Sequence, residues 1–169
     1  MAIYPLVCFE LLPASQPLVG CDNIAESQQM SPARIVIIED NSADIALFRH
    51  ALDQQREEYE LEVLHTGEEA LRFVQEHRTR VRKPEPCVFL VDLYLPPHDC
   101  LAVVHAIRRA PALAHIHIVV WTSLASPEQE IEIANMGALY RRKPTELREF
   151  IELGGEIIAI CKGSSIAAV

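Results

Sequence analysis

Polar side chains of the types that handle metal ions and phosphate stand at the carboxyl ends of predicted β-strands. These residues are Glu39, Asp40, Asp92, Thr122 and Lys143. Three carboxylates brought within a few ångströms of one another repel, and the repulsion raises at least one pKa. A hard divalent cation relieves it, and Mg²⁺ suits oxygen ligands best. With a hydroxyl donor and a lysine charge added, the set is suited to holding a phosphoryl group on a carboxylate.

These side chains meet only if the strands that carry them share one sheet. Five strands are predicted at 33–38, 59–64, 87–91, 116–121 and 138–142. Helical stripes of apolar residues separate them, with cap signals at Asn41 or Ser42 and at Ser126-Pro127-Glu128-Gln129. Strict alternation predicts an α/β fold, a doubly wound five-stranded parallel sheet with five helices. Half-polar second and fifth strands belong at the edges, which gives the order 2-1-3-4-5 and a site at the carboxyl edge.

Length and composition favour one globular domain and narrow the function classes. The chain has 169 residues, of which 50% are hydrophobic and 23% charged, and its net charge is −9. That charge disfavours binding to nucleic acid. No stretch approaches the roughly 18 uncharged apolar residues of a membrane helix. Five cysteines occur without a C-x-x-C spacing, which predicts buried or idle thiols in a reducing compartment, not a disulfide framework or a zinc site.

The two ends of the chain differ from its middle. Residues 1–30 contain three prolines and no Lys or Arg, which argues against a signal peptide and predicts a flexible N-terminal extension. The alternative is a segment that docks on the domain or on a partner. The folded domain is expected at 31–163, followed by a C-terminal tail at 164–169.

Four segments carry a resemblance to a known family. IVIIEDNSAD, VFLVDLYLP, VVWTS and YRRKP resemble the receiver domains of two-component response regulators. The resemblance covers residues 33 to about 162, and it is greatest to stand-alone receivers that partner phytochrome-type sensor kinases. It implies a flavodoxin-like fold and a single-domain response regulator, a phosphoprotein of phosphorelay signal transduction that changes conformation on phosphorylation.

The resemblance also implies a role for each residue of the set. Asp92 resembles the acceptor of the phosphoryl group, and Lys143 the lysine that pairs with it. Mg²⁺ is expected on Glu39, Asp40, Asp92 and the backbone carbonyl of Tyr94. Thr122 and Tyr140 resemble the switch residues that move on activation. Cys100 stands where the family usually has glycine, and this side chain either alters the turn into the third helix or points to solvent.

Partners and location follow from the same resemblance. A sensor histidine kinase or a phosphotransfer protein is the expected donor, with no nucleic acid, no membrane and a cytoplasmic location. A homodimer through helix 4, strand 5 and helix 5 is a further expectation. The protein is expected not to be a dedicated enzyme. Tyr94 and Leu124 border the approach of water in the family, and their bulk predicts slow self-dephosphorylation.

Two other function classes compete with this interpretation. Phosphatases of the haloacid dehalogenase type need a second Asp two residues after the nucleophile, and Tyr94 occupies that position. A pseudo-receiver acts only as a protein-binding module, and such proteins usually lack the acceptor, the acidic pair or the lysine, all of which are present here. The pseudo-receiver is kept as the alternative.

Overall fold

The structure is a computed structural model, and it describes residues 31–79, 84–95 and 98–163. The expectations for 1–30 and for 164–169 lie outside the described residues. The strands are β1 Ala33–Ile38, β2 Tyr59–Leu64, β3 Val88–Asp92, β4 Tyr94–Leu95, β5 His98–Asp99, β6 His117–Thr122 and β7 Leu139–Arg142. The helices are α1 Ser42–Asp53, α2 Gly67–Thr79, α3 Cys100–Arg109, α4 Pro127–Asn135 and α5 Leu147–Cys161.

Five strands form one parallel sheet in the order β2-β1-β3-β6-β7. In chain order of its own strands this sheet is 2-1-3-4-5, so the predicted topology is confirmed. β4 and β5 pair antiparallel in a separate two-stranded sheet that the sequence analysis did not anticipate. Two strands also extend further than predicted. Asp92 pairs with Trp121, and Thr122 pairs with Arg142, so the ladder includes the polar residues at its carboxyl end.

The sheet is covered on both faces, as its apolar central strands require. One core cluster joins alternate strand residues to α1 and α5 through Phe48 and Phe150. The other cluster packs α2, α3 and α4 on the opposite face, through side chains such as Phe73, Val104 and Ile133. No helix within the described residues is long and apolar enough to span a bilayer.

Both predicted helix starts are present. The Asn41 side chain accepts a hydrogen bond from the backbone N–H of Ala43 at 3.0 Å, which caps α1. Ser126 and Gln129 cap α4 reciprocally, with Pro127 at the first helical position. Each cap satisfies backbone donors that a helix end otherwise leaves unpaired.

The cysteines differ from expectation in two respects. Cys87 and Cys161 form a disulfide with Cα atoms 5.1 Å apart, so the prediction of idle thiols is wrong for this pair. The two residues lie 74 positions apart, and only the packing of α5 beside the start of β3 brings them together. Cys100 is fully buried at the start of α3, so it does not point to solvent.

Gly154 lies where α5 crosses α1. A Cβ at this position would lie 3.2 Å from the backbone carbon and oxygen of Ala51. Gly155 is different, because the nearest atom to its Cβ, also at 3.2 Å, is the end of the Gln55 side chain. A backbone neighbour cannot yield as a side chain can, so α5 approaches α1 this closely only with glycine at 154.

Gly154→Ala is expected to destabilise the protein by about 1–3 kcal/mol, because overpacking outweighs the gain in helix propensity. Gly155→Ala is the matched control and should remain within about 1 kcal/mol of the parent. Urea unfolding of both variants measures the difference. Equal stability of the two variants would contradict the close approach of α5 to α1.

The disulfide closes a long loop and restricts the unfolded chain. Cys161→Ser should therefore lower the free energy of unfolding of the oxidised protein by about 2–4 kcal/mol. Thermal unfolding with and without reductant measures the effect, and Cys100→Ala is the control for a cysteine outside the bond. If reductant shifts the transitions of the parent and of Cys161→Ser equally, the bond contributes nothing.

Candidate functional site

Three carboxylates converge at the carboxyl edge of the sheet. Glu39 follows β1, Asp40 is next to it, and Asp92 ends β3, the neighbouring strand. One oxygen of each lies within 4.8 Å of an oxygen of the others. Glu39 and Asp92 are buried, whereas Asp40 is exposed. The parallel register of β1 and β3 thus brings the predicted acidic residues together.

Lys143 lies over this cluster at the start of the loop that follows β7. Its Nζ is 2.7 Å from Glu39 Oε2, 2.9 Å from Asp92 Oδ2 and 2.9 Å from Asp44 Oδ2. The ammonium donates a hydrogen bond to Asp92, and the carboxylates of Glu39 and Asp44 lie within ion-pair distance of it. Its other side faces an aromatic ring, since Nζ lies 5.0 Å from the centroid of Trp121.

The ionisation of the site follows from burial and from these contacts. Burial raises the pKa of Glu39 from 4.5 to about 7, and the charge of Asp92 adds to this rise. The hydrogen bonds from Lys143 and from the backbone of Asn41 oppose it. Burial on its own lowers the pKa of Lys143, but its bonds to Asp44, Glu39 and Asp92 prevail and hold that pKa above 10.5. Lys143 is therefore a permanent cation, whereas Glu39 exchanges its proton near neutral pH.

Backbone groups fix the positions of the two buried carboxylates. Asn41 N–H donates to Glu39 Oε1 at 2.9 Å, and Tyr94 N–H donates to Asp92 Oδ1 at 3.0 Å. The loop that carries Lys143 is tied to the sheet, because its backbone N–H donates to the carbonyl of Thr122 at 2.8 Å. Each carboxylate therefore keeps one oxygen bonded to the backbone and turns the other toward Lys143.

The predicted switch residues lie on β6 and β7, and each has a partner other than Asp92. The Thr122 hydroxyl is fully buried and donates to the carbonyl of Leu124 at 3.1 Å. Tyr140 is half-buried and packs against the core cluster that includes α4. Tyr94 and Leu124 are 57% and 74% exposed. Slow self-dephosphorylation stays a prediction.

Sequence reasoning missed two residues that contact Lys143. Asp44 lies in the first turn of α1, three residues after the Asn41 cap and close in sequence to the acidic pair. That closeness in the sequence is the available signal. Trp121 precedes Thr122 on β6 and contributes its ring from below the lysine. A tryptophan in an apolar strand is typical of a core residue, and its neighbours in the sequence do not indicate a contact with Lys143.

The order of the sheet and the acidic cluster at its carboxyl edge define a flavodoxin-like α/β domain. Residues 35–153 match the response regulator receiver domain, so the chain belongs to that family. Receiver domains are signalling modules that accept phosphoryl groups, and they are not dedicated enzymes. They bind Mg²⁺ or Mn²⁺ at an acidic pocket and interact with histidine kinases or phosphotransfer proteins.

Two curated relatives show how far the similarity extends. The response regulator Rcp1 of Synechocystis sp. is 32% identical over 98 residues, which are 57% of this chain and 67% of that protein. The polar-differentiation response regulator DivK of Brucella anthropi is 31% identical over 122 residues, which are 72% of this chain and 92% of that protein.

Solved structures share the fold. The Mn²⁺-bound form of Rcp1 is 26% identical with a TM-score of 0.68, and the match covers 82% of this chain and all of that one. The phosphorylated cyanobacterial phytochrome response regulator RcpA gives a TM-score of 0.71 at 23% identity, covering 80% of this chain and 98% of that chain. The second likeness supports the fold alone.

The donor set fits a hard divalent cation. Three carboxylate oxygens lie close enough to share one ion, and oxygen donors are what Mg²⁺ and Mn²⁺ prefer. Buried Glu39 has a raised pKa, and a cation in this position would stabilise its anion. Lys143 alone does not offset the charge of the cluster.

Cation affinity should fall as the pH is lowered through 7, because a protonated Glu39 no longer offers a charged ligand. With a pKa of about 7, the apparent affinity for Mg²⁺ is expected to fall about tenfold between about pH 8 and about pH 6. Calorimetric titration measures it. Glu39→Gln is the control, in which this dependence should disappear. A pH-independent affinity in the parent would show that Glu39 is not a titrating ligand.

Proposed function

We propose that this protein is a single-domain response regulator that accepts a phosphoryl group on Asp92 from a sensor histidine kinase or a phosphotransfer protein. The observation that carries the proposal is the ion pair of Lys143 with Asp92 beside the carboxylates of Glu39 and Asp40. Asp92 is a carboxylate at a strand end and can act as the nucleophile. Lys143 is fixed next to it and can pair with the negative charge of the phosphorylated product.

The transfer needs little covalent chemistry from the protein. An Asp92 oxygen attacks phosphorus, a P–O bond forms, and the P–N bond to the donor histidine breaks, so that the histidine nitrogen keeps the bonding electrons. Bound Mg²⁺ would neutralise charge on the phosphoryl oxygens, held by Glu39, Asp40, Asp92 and the Tyr94 carbonyl. Lys143 supplies a further positive charge on the side of Asp92 where its Nζ now lies.

The conformational response is proposed to pass through Thr122 and Tyr140. Thr122 now bonds Leu124, and a phosphoryl oxygen on Asp92 would offer its hydroxyl a charged acceptor, which makes a stronger bond than a neutral carbonyl. Moving that hydroxyl would draw the loop before α4 toward the site. Tyr140, on the strand beside Thr122, packs against the same side of the sheet as α4.

The face formed by α4, β7 and α5 is the proposed contact surface for a second copy. Ile131 on α4 is 62% exposed, and Leu147 on α5 is 46% exposed, so each offers apolar surface to a partner. We further propose residues 31–163 as the receiver unit, a cytoplasmic location and a phytochrome-type kinase as the donor. The bacteriophytochrome response regulator RtBRR, a solved structure that is 27% identical with a TM-score of 0.62, supports that last point.

Labelling of Asp92 by a small phosphodonor tests the proposal. Acetyl phosphate with Mg²⁺ should convert the parent to a slower band on a phosphate-affinity gel, and excess EDTA should abolish the conversion. Asp92→Asn should not be labelled, and Asp99→Asn, in the same region of the chain, is the control that should be. Absence of labelling in the parent would favour the pseudo-receiver, and continuous phosphate release would indicate a phosphatase.

A further inference from the structure

Lys143 has three carboxylate partners, and the proposed function assigns other tasks to two of them. Asp92 receives the phosphoryl group, and Glu39 belongs to the metal triad. Asp44 belongs to neither, although it lies as close to the lysine as Asp92 does, at 2.9 Å. Its place on α1, a separate element from the strand ends, lets it hold the lysine from outside the reacting cluster.

Asp44 is itself held in position. The Asn41 side-chain amide donates to Asp44 Oδ2 at 3.0 Å, the same oxygen that contacts Lys143. Asn41 is in turn the cap of α1 and also donates its backbone N–H to Glu39. The side chains of Asp44 and Lys143 are only 19% and 11% exposed, so their ion pair is partly shielded from solvent screening.

A divalent cation on Glu39, Asp40 and Asp92 repels the ammonium of Lys143, because both are positive and within a few ångströms. The same cation takes up the negative charge of two of the lysine's partners. What then keeps the lysine beside Asp92 is the remaining carboxylate, Asp44.

We infer that Asp44 is a positioning residue that holds Lys143 beside Asp92 and above Trp121 when metal and phosphoryl group engage the other carboxylates. The phosphoryl part of this inference rests on the proposed function, whereas the metal part does not. Without the Asp44 charge, the lysine is expected to leave Trp121 as soon as the cation binds. Trp121 is the one tryptophan of the chain, so its emission reports on the ammonium above its ring.

The first experiment is a Mg²⁺ titration of the full chain followed by tryptophan emission, without phosphodonor. Lys143→Met defines the emission of a ring with no ammonium above it. In saturating Mg²⁺, Asp44→Asn should give the emission of Lys143→Met, while the parent should remain distinct from both. Asp44→Glu keeps the charge and should restore at least half of the difference.

Two controls distinguish a displaced Lys143 from the loss of a negative charge elsewhere and from unfolding. Glu58→Gln removes one negative charge at the amino end of the sheet, and it should behave as the parent throughout. Thermal unfolding verifies that each variant is folded, and Asp44→Ser is the substitute if Asp44→Asn is not. If Asp44→Asn, or Asp44→Ser in its place, keeps the parent's emission in saturating Mg²⁺, the inference is wrong.

The second experiment follows the rate of Asp92 labelling by acetyl phosphate. Asp44→Asn should be labelled about tenfold more slowly than the parent, since a charged partner of the lysine is lost, and Asp44→Glu should recover most of the rate. Labelling at the parent's rate in Asp44→Asn would overturn the phosphoryl part. If the parent itself is not labelled, the proposed function fails, and the emission experiment still decides the metal part.

Discussion

The contact of one buried ammonium with several carboxylates is the interaction on which the rest of the site depends. Burying Glu39 is costly for its anion, and its raised pKa expresses that cost. Lys143 compensates in part, at 2.7 Å from Glu39 and 2.9 Å from Asp92. Because one positive charge faces four carboxylates in this region, the site retains an excess of negative charge. That excess is the physical basis for binding a cation, and the cation in turn allows a phosphoryl group to approach.

The site is joined to the core through Trp121. Its ring lies under Lys143 and packs edge-on against Phe48 of α1 and Phe150 of α5, with centroids 5.9 and 6.1 Å away. A displacement of the lysine therefore changes a contact made by a fully buried side chain that touches both helices of that face. The charged site at the strand ends is therefore connected to the packing of α1 and α5 through the ring of Trp121.

The two helices that border β7 are anchored to different extents. α5 buries six side chains or glycines, approaches the backbone of α1 at Gly154, and is bonded to the start of β3 through Cys161. α4, by contrast, has one buried residue, Ile133. Helices with few buried contacts reorganise at lower free energy than firmly packed ones. Thr122 leads into the loop before α4. A movement of Thr122 therefore first reaches the helix that has fewer buried residues.

The sequence alone determined the strands, their order and the convergence of Glu39, Asp40 and Asp92. β-Branched runs and helix caps are recognisable from a few neighbouring residues, and the rules of parallel sheets apply to any chain with this alternation of strands and helices. Only the tertiary structure decided the contacts between distant segments. Asp44 and Trp121 became partners of Lys143 because α1, β6 and the loop after β7 meet at one point. Likewise, Cys87 and Cys161 are joined because α5 packs beside β3, and residues 74 positions apart leave no signal in their spacing. Side-chain proximity across elements depends on packing distances, which a one-dimensional pattern does not contain.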